Sequence, residues 1–286
     1  MHLLRWPVAV LFVAAALVRA QPPQPAKGQL QVTGPILSQF EDGAALSGSE
    51  RLVLPGESIF FRFTVANFKT TETGKVKVTG HAQAMDSRGT PIAPMDEVAI
   101  GTSLNDEDKA WKPRLRFQFQ MPSIAPPGTY RIKFDATDEQ SHQTASGETT
   151  FTVTGQDVAP AAALAVRNLG FYRTQDDEAA LKNAAYRPGD MVWVRFDVTG
   201  YKYGEQNAID VSYDVAVLEG DGKQLFLQEN AAVERSQAYY PQPWVPGTFS
   251  LTLQPNMTPG LYTVAVTARD GIGNQTIAEK AQFRVE

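Results

Sequence analysis

One strand-turn-strand pattern is written twice in this chain, about 132 residues apart, and a fixed-period repeat constrains the architecture before any local reading begins. Pro127, Gly128, Thr129 and Tyr130 open one copy; Pro259, Gly260, Leu261 and Tyr262 open the other. Behind each tyrosine the spacing continues without a gap. Asp138 answers to Asp270, Gln143 and Thr144 to Gln275 and Thr276, Phe151 to Phe283, and Val153 to Val285. The repeat implies two copies of one all-β module. It names neither a ligand nor a reaction.

Strand signals fill the rest of each copy. Ile59, Phe61, Phe63 and Val65 alternate with Arg62 and Thr64, and residues 192–198 repeat the pattern in the second copy. Alternation of period two puts one side of such a strand into a core and the other toward solvent. A Pro-Gly pair precedes each run (Pro55 and Gly56, Pro188 and Gly189) and turns the chain before the strand begins. Residues 75–85 and 208–218 form the next pair. Each ends in a Gly-containing turn that reads as a hairpin into a short strand, near 91–93 and 223–227. Residues 115–121 and 249–253 alternate strictly. A first strand falls near 29–33 or 36–40. Each module then holds about seven strands with frequent turn signals, the pattern of a β-sandwich. Residues 176–185 come nearest to a helix, at two or three turns at most.

The N-terminus reads as a cleaved signal peptide, 1–20. Arg5 supplies the positive region, 8–18 the apolar run, and Val18, Arg19 and Ala20 a small-residue cleavage site. The run is too short to span a bilayer, so no membrane span is expected after cleavage. Residues 21–28 form a Pro-rich leader, 29–155 the first module, 156–163 a short linker and 164–286 the second module. Cleavage removes two arginines and moves the net charge from −5 to about −7, which argues against nucleic acid as a partner. There is no cysteine, which excludes disulfides, thiol catalysis and Cys-ligated zinc. The chain reads as exported to a bacterial periplasm or beyond the cell.

Tyr262, Val264, Val266, Ala268, Asp270 and Asn274 fall on a pattern similar to the penultimate strand of bacterial immunoglobulin-like domains. The first copy, from Tyr130 to Asp138, is similar but lacks the Gly-Asn tail. The resemblance implies two tandem seven-stranded immunoglobulin-like β-sandwiches, related in pattern to fibronectin type III and cadherin repeats. It also implies that each tyrosine forms a corner, its hydroxyl bonded to nearby backbone. In cadherins the matching aspartate helps bind calcium. The other cadherin calcium motifs are absent here, and Asp138 and Asp270 read as turn residues whose carboxylates cap backbone N–H groups.

Chemistry-bearing residues are sparse. His81 sits in a strand and reads as solvent-facing or at an edge; His142 lies in a polar hairpin loop beside Ser141. Neither meets the requirements of a triad or a zinc site, and no metal or cofactor is expected. The acidic runs Asp106, Glu107, Asp108 and Asp176, Asp177, Glu178 read as solvated charge before they read as a glycosidase pair. Trp111 and Trp244 each precede a proline by two residues at equivalent places, and read as packing anchors of the repeat.

Tyrosine breaks the symmetry. The first module has Tyr130 alone, whereas the second has eight. Tyr201 and Tyr203 share one loop; Tyr239, Tyr240 and Trp244 share another. Large rings with polar tips suit interfaces, and loops at the end of a sandwich are where such folds bind. These five residues are therefore the expected binding site, with the closing of a sheet edge or of an inter-module contact as the competing role. The expected function is a non-catalytic binding or scaffolding protein with a protein partner. A carbohydrate-binding protein using the same rings is the first alternative. A calcium-assisted hydrolase and a protease inhibitor are others.

Overall fold

The structure is a computed structural model and describes residues 28–46, 52–108 and 110–286. The expected signal peptide, and all of the leader except Gly28, lie outside the described residues.

Eight strands fall in each half of the described chain. The first half holds β1 (Gln31–Ser38), β2 (Leu52–Val53), β3 (Ser58–Ala66), β4 (Lys75–Met85), β5 (Asp96–Ser103), β6 (Arg114–Gln120), β7 (Gly128–Asp138) and β8 (Gln143–Val153). The second holds β9 (Ala165–Tyr172), β10 (Ala185–Tyr186), β11 (Met191–Thr199), β12 (Ile209–Glu219), β13 (Gln224–Ser236), β14 (Trp244–Thr252), β15 (Gly260–Asp270) and β16 (Gln275–Val285). In the first half β1-β3-β6 form one sheet and β2-β8-β7-β4-β5 another; the second half repeats this as β9-β11-β14 and β10-β16-β15-β12-β13. The expected seven strands per copy become eight because Leu52–Val53 and Ala185–Tyr186 each pair with the last strand of their half, parallel to it. Two residues are too few to show alternation, so no period betrays them.

Each pair of sheets encloses one apolar cluster. Ile59, Phe61, Phe63 and Val65 of β3 point inward together, as do Tyr130, Ile132, Phe134 and Ala136 of β7. Phe134 meets Phe61 and Phe63 at ring separations of 4.9 and 4.8 Å. Each buried aromatic of this kind contributes about 1.5–3 kcal/mol. The second half builds the same layer largely from valines, with Phe196 set edge-on to Tyr213 at 4.9 Å. Gly247 makes room for that ring: a Cβ there would lie 2.3 Å from it.

The features shared by the two copies prove to be framework. Tyr130 donates its hydroxyl to Pro126 O at 2.9 Å, and Tyr262 donates to Thr258 O at 2.7 Å, the corner implied by the resemblance. Asp138 accepts from the N–H groups of Lys69 and Gln140 and from the Ser141 hydroxyl. Asp270 accepts from the N–H groups of Lys202, Ile272 and Gly273 and from the Gln275 amide. Both carboxylates are thus surrounded by donors, as a cap requires. Gln143 and Gln275 each accept the N–H of the residue shortly before the first strand, Leu30 and Leu164, at 2.9 and 3.0 Å.

Three local expectations need correction. Residues 176–185 form turns and bends instead of a helix until β10 begins. Asp177 organises that stretch, accepting from the N–H groups of Arg173 and Thr174 and from the Thr174 hydroxyl. The residues near 91–93 make only an isolated bridge between Met85 and Pro91, because Pro91 has no N–H to extend a ladder; the strand there is β5. His81 is not at an edge, although it keeps the solvent side of its strand as the other half of the expectation had it. Its strand lies between β5 and β7, and the imidazole bridges them, Nδ1 at 2.9 Å from Asp135 Oδ1 and Nε2 at 3.3 Å from Glu97 Oε2.

The Asp135 hydrogen bond raises the pKa of His81 above 6.5, with the Asp135 and Glu97 charges adding to it against a loss from burial. The sign follows from linkage. A raised pKa means that the folded state favours imidazolium, so the stabilisation is complete below pH 6.5 and disappears as the pH rises through the folded value. We expect the wild type to be more stable than His81→Gln toward urea in mildly acidic buffer, with the gap closed at about pH 9. Equal gaps at the two pH values would contradict this assignment.

Candidate functional site

Four of the aromatic residues expected to bind a ligand lie on two loops, 200–204 after β11 and 237–243 before β14; Trp244, expected in the second loop, instead opens β14, paired with Thr199 of β11. Gly200 starts the first loop with φ 75°, and a Cβ there would lie 2.0 Å from Ala163 O, so only glycine lets the chain pass the segment leading into β9. The loops are tied to each other. Tyr201 and Tyr203 both donate their hydroxyls to Gln242 O, at 2.6 and 2.5 Å, and their rings meet edge to face at 5.6 Å. Asn207 donates its side-chain amide to Tyr239 O at 2.7 Å, and the Thr199 hydroxyl donates to Pro243 O at 3.1 Å. Backbone that belongs to no ladder therefore has its carbonyls satisfied by side chains from the neighbouring loop and strand end.

Tyr240 leaves its own half altogether. Its ring joins the buried cluster of the first half. Its hydroxyl donates to Asp86 Oδ2 at 3.0 Å, a fully buried contact across 154 residues of sequence. Asp86 follows β4 and organises the turn there: its Oδ1 accepts the N–H groups of Arg88 and Thr90 at 2.9 and 2.7 Å. The Arg88 guanidinium shares Oδ2 at 3.3 Å. Burial pushes the corner hydroxyl of Tyr130 up to about 12, and it raises Tyr240 and Tyr201 as well. These phenols stay protonated and act as hydrogen-bond donors. A hollow of about 340 Å³ remains beside the contact, lined among others by Arg88, Thr90, Pro160, Tyr203 and Pro243.

The expected five-residue platform is therefore divided. Tyr201, Tyr240 and Trp244 are buried; the Tyr201 hydroxyl closes the loops and the Tyr240 ring makes the contact between halves. Tyr203 and Tyr239 remain open, at 41% and 53% exposure. The competing role for these rings, closing an internal contact, accounts for Tyr201 and Tyr240. Asp86 and Arg88 were missed as partners. Their only sequence signal is a Gly-containing turn, which does not point to a distant ring.

No family model and no curated protein matches this chain. Among solved structures, the C-terminal domain of the Streptococcus pyogenes antigen I/II-family protein AspA aligns at a TM-score of 0.32 and 9% identity, over 90% of this chain and 99% of that one. The C-terminal domain of the Streptococcus agalactiae AgI/II polypeptide BspA aligns at 0.30 and 12%, over 89% and 99%. Pseudomonas fluorescens alkylpurine DNA glycosylase AlkC aligns at 0.30 and 13%, over 44% of this chain and only 31% of the other. Likeness at this level carries no functional argument; the all-β architecture rests on the sheets described above.

The remaining candidates divide in the same way. Asp106, Glu107 and Asp108 form a single turn, exposed at its first two residues, where Asp108 accepts the Asn105 N–H at 2.9 Å. The Ser141 hydroxyl is committed to Asp138 at 2.5 Å, and His142 beside it is exposed with φ 55°. Trp111 packs edge-on to Phe68 at 5.9 Å, the anchor role expected of it. Among the described residues, no group of three or more His, Asp or Glu is placed to hold a metal ion. No helix among them is long and apolar enough to cross a membrane.

Proposed function

We propose that the chain is an exported, non-catalytic scaffolding or binding protein of two immunoglobulin-like modules, 29–155 and 164–286, joined by the linker 156–163. It acts through protein contacts in the bacterial periplasm or at the cell surface. The observation that carries this reading is the buried Tyr240–Asp86 contact. It commits one ring of the expected site, Tyr240, to fixing the orientation of the second module to the first, which suits a spacer of set geometry. The signal-like N-terminus supports export.

The carbohydrate reading now rests on Tyr203 and Tyr239 alone. Substituting Tyr240 or Trp244 cannot test it, because losing a buried ring perturbs the fold itself. Affinity electrophoresis through gels holding soluble polysaccharides, with the exposed-ring variants Tyr203→Ala and Tyr239→Ala, separates the two. We expect no retardation of the wild type in any gel. Retardation that vanishes in either variant, with an unchanged thermal midpoint, would replace protein binding by sugar binding.

A further inference from the structure

The outer face of β9-β11-β14 carries a cleft of about 860 Å³ with a charge at its floor. Asp197 of β11 lines it and is 3% exposed. Its Oδ2 accepts the amide of Gln156 at 2.6 Å and that of Asn168 at 2.8 Å. No described residue donates to Oδ1, and no described cation forms a salt bridge with the carboxylate. Arg195 stands two residues earlier on the same strand and also lines the cleft, its Nε buried without a partner among the described residues, but its guanidinium is turned from the carboxylate. Its guanidinium lies over the Tyr172 ring, 3.6 Å from the centroid, and donates to Asp177 O. Burial raises the Asp197 pKa from its ordinary value, and the two amide bonds offset part of that rise.

The fold does not require this charge. A neutral side-chain carbonyl would accept the same two amides, and a buried carboxylate without a counter-charge is costly to keep. The first copy manages without it. By strand register Thr64 stands where Asp197 does, and Ser38 where Tyr172 does. Arg195 and its counterpart Arg62 both pin the loop after the first strand of their half, Arg62 through the carbonyls of Glu41 and Gly43. The arginine is therefore framework, whereas Asp197 belongs to the second copy alone.

We propose that this cleft binds a primary ammonium group, with Asp197 Oδ1 as the acceptor and the exposed Glu178 adding a second negative charge at the rim. Leu169 and Ala180 also line the cleft and offer apolar contact to the methylenes of an alkyl chain. The ammonium can come from a free diamine or from a lysine side chain of a partner protein. Such a pocket stands whether or not the chain acts as a scaffold.

Titration of the ¹⁵N-labelled protein with pentylammonium chloride tests this, with pentanol as the uncharged control. Saturable shifts at the Gln156 and Asn168 side-chain amides are expected with pentylammonium and not with pentanol. Asp197→Asn keeps an acceptor for both amides and should weaken binding about tenfold or more. Glu178→Gln, at an exposed position that leaves the fold intact, should weaken it about threefold. The absence of saturable shifts, equal binding of pentanol, or undiminished binding in both variants would overturn the proposal. Should Asp197→Asn not fold, the pentanol control and Glu178→Gln decide alone. Tighter binding of 1,5-diaminopentane than of Nα-acetyl-lysine methylamide would mark a free diamine; the reverse order would mark a partner's lysine.

Discussion

Replacing Asp270 by alanine lowers the stability of the second half by about 3–5 kcal/mol, one of the two largest effects expected of any single change here. Its carboxylate accepts the N–H groups of Lys202, Ile272 and Gly273 at 2.9, 3.0 and 2.8 Å, and the Gln275 amide at 3.1 Å. Those donors join the loop after β11, the β15–β16 turn and the start of β16. A donor left without its acceptor costs about 1–3 kcal/mol where water cannot replace it, and less at the outer edge of the turn. Asp270→Asn retains part of the cap and loses less. The loss reads out as a fall in the urea midpoint at unchanged slope. A chelator added to the wild type separates the cap from a calcium site: a cap leaves the midpoint where it was, whereas a bound cation would make it fall.

Tyr240→Ala acts on the other half of the molecule. The ring fills part of the first half's core, and truncating a buried aromatic costs about 3–5 kcal/mol in a single core. Here the filler comes from a different half, so much of that cost appears as undocking. The wild type should unfold in one thermal transition, because each half supports the other through the contact. Tyr240→Ala should unfold in two. Tyr240→Phe keeps the ring and loses only the hydrogen bond to Asp86, worth about 1.5–3 kcal/mol for a charged acceptor, and should remain docked.

Much of the fold was legible because its determinants are local. Alternation in β3 and β11, Pro-Gly turns and the corner tyrosines each act within a few residues, and their repetition exposes them. The capping aspartates follow the same logic: two of the N–H groups on Asp270 come from the residues just after it. The two-residue β2 and β10 escaped because a period needs more than two residues to be seen. The candidate site was legible only as an excess of tyrosine. Composition and loop position cannot distinguish a ring that faces solvent from one that docks on the other copy, and the Tyr240–Asp86 contact is invisible to any local window. Asp197 escaped for a related reason. It occupies a polar position of an alternating strand, which reads as solvent-facing, and its burial comes from neighbours such as Gln156 and Asn168.

The Tyr240–Asp86 contact implies that the second half's aromatic loops fix the two halves to each other. Because the natural chain has no cysteine, Thr102→Cys on β5 and Lys280→Cys on β16 place two spin labels at exposed positions with no competing thiol. Pulsed electron-electron spin resonance then reports the distance between halves. We predict one narrow distance distribution for this pair, unchanged by Tyr239→Ala and broadened by Tyr240→Ala. A broad distribution in the otherwise unmodified chain, or a narrow one that Tyr240→Ala leaves untouched, would contradict the account.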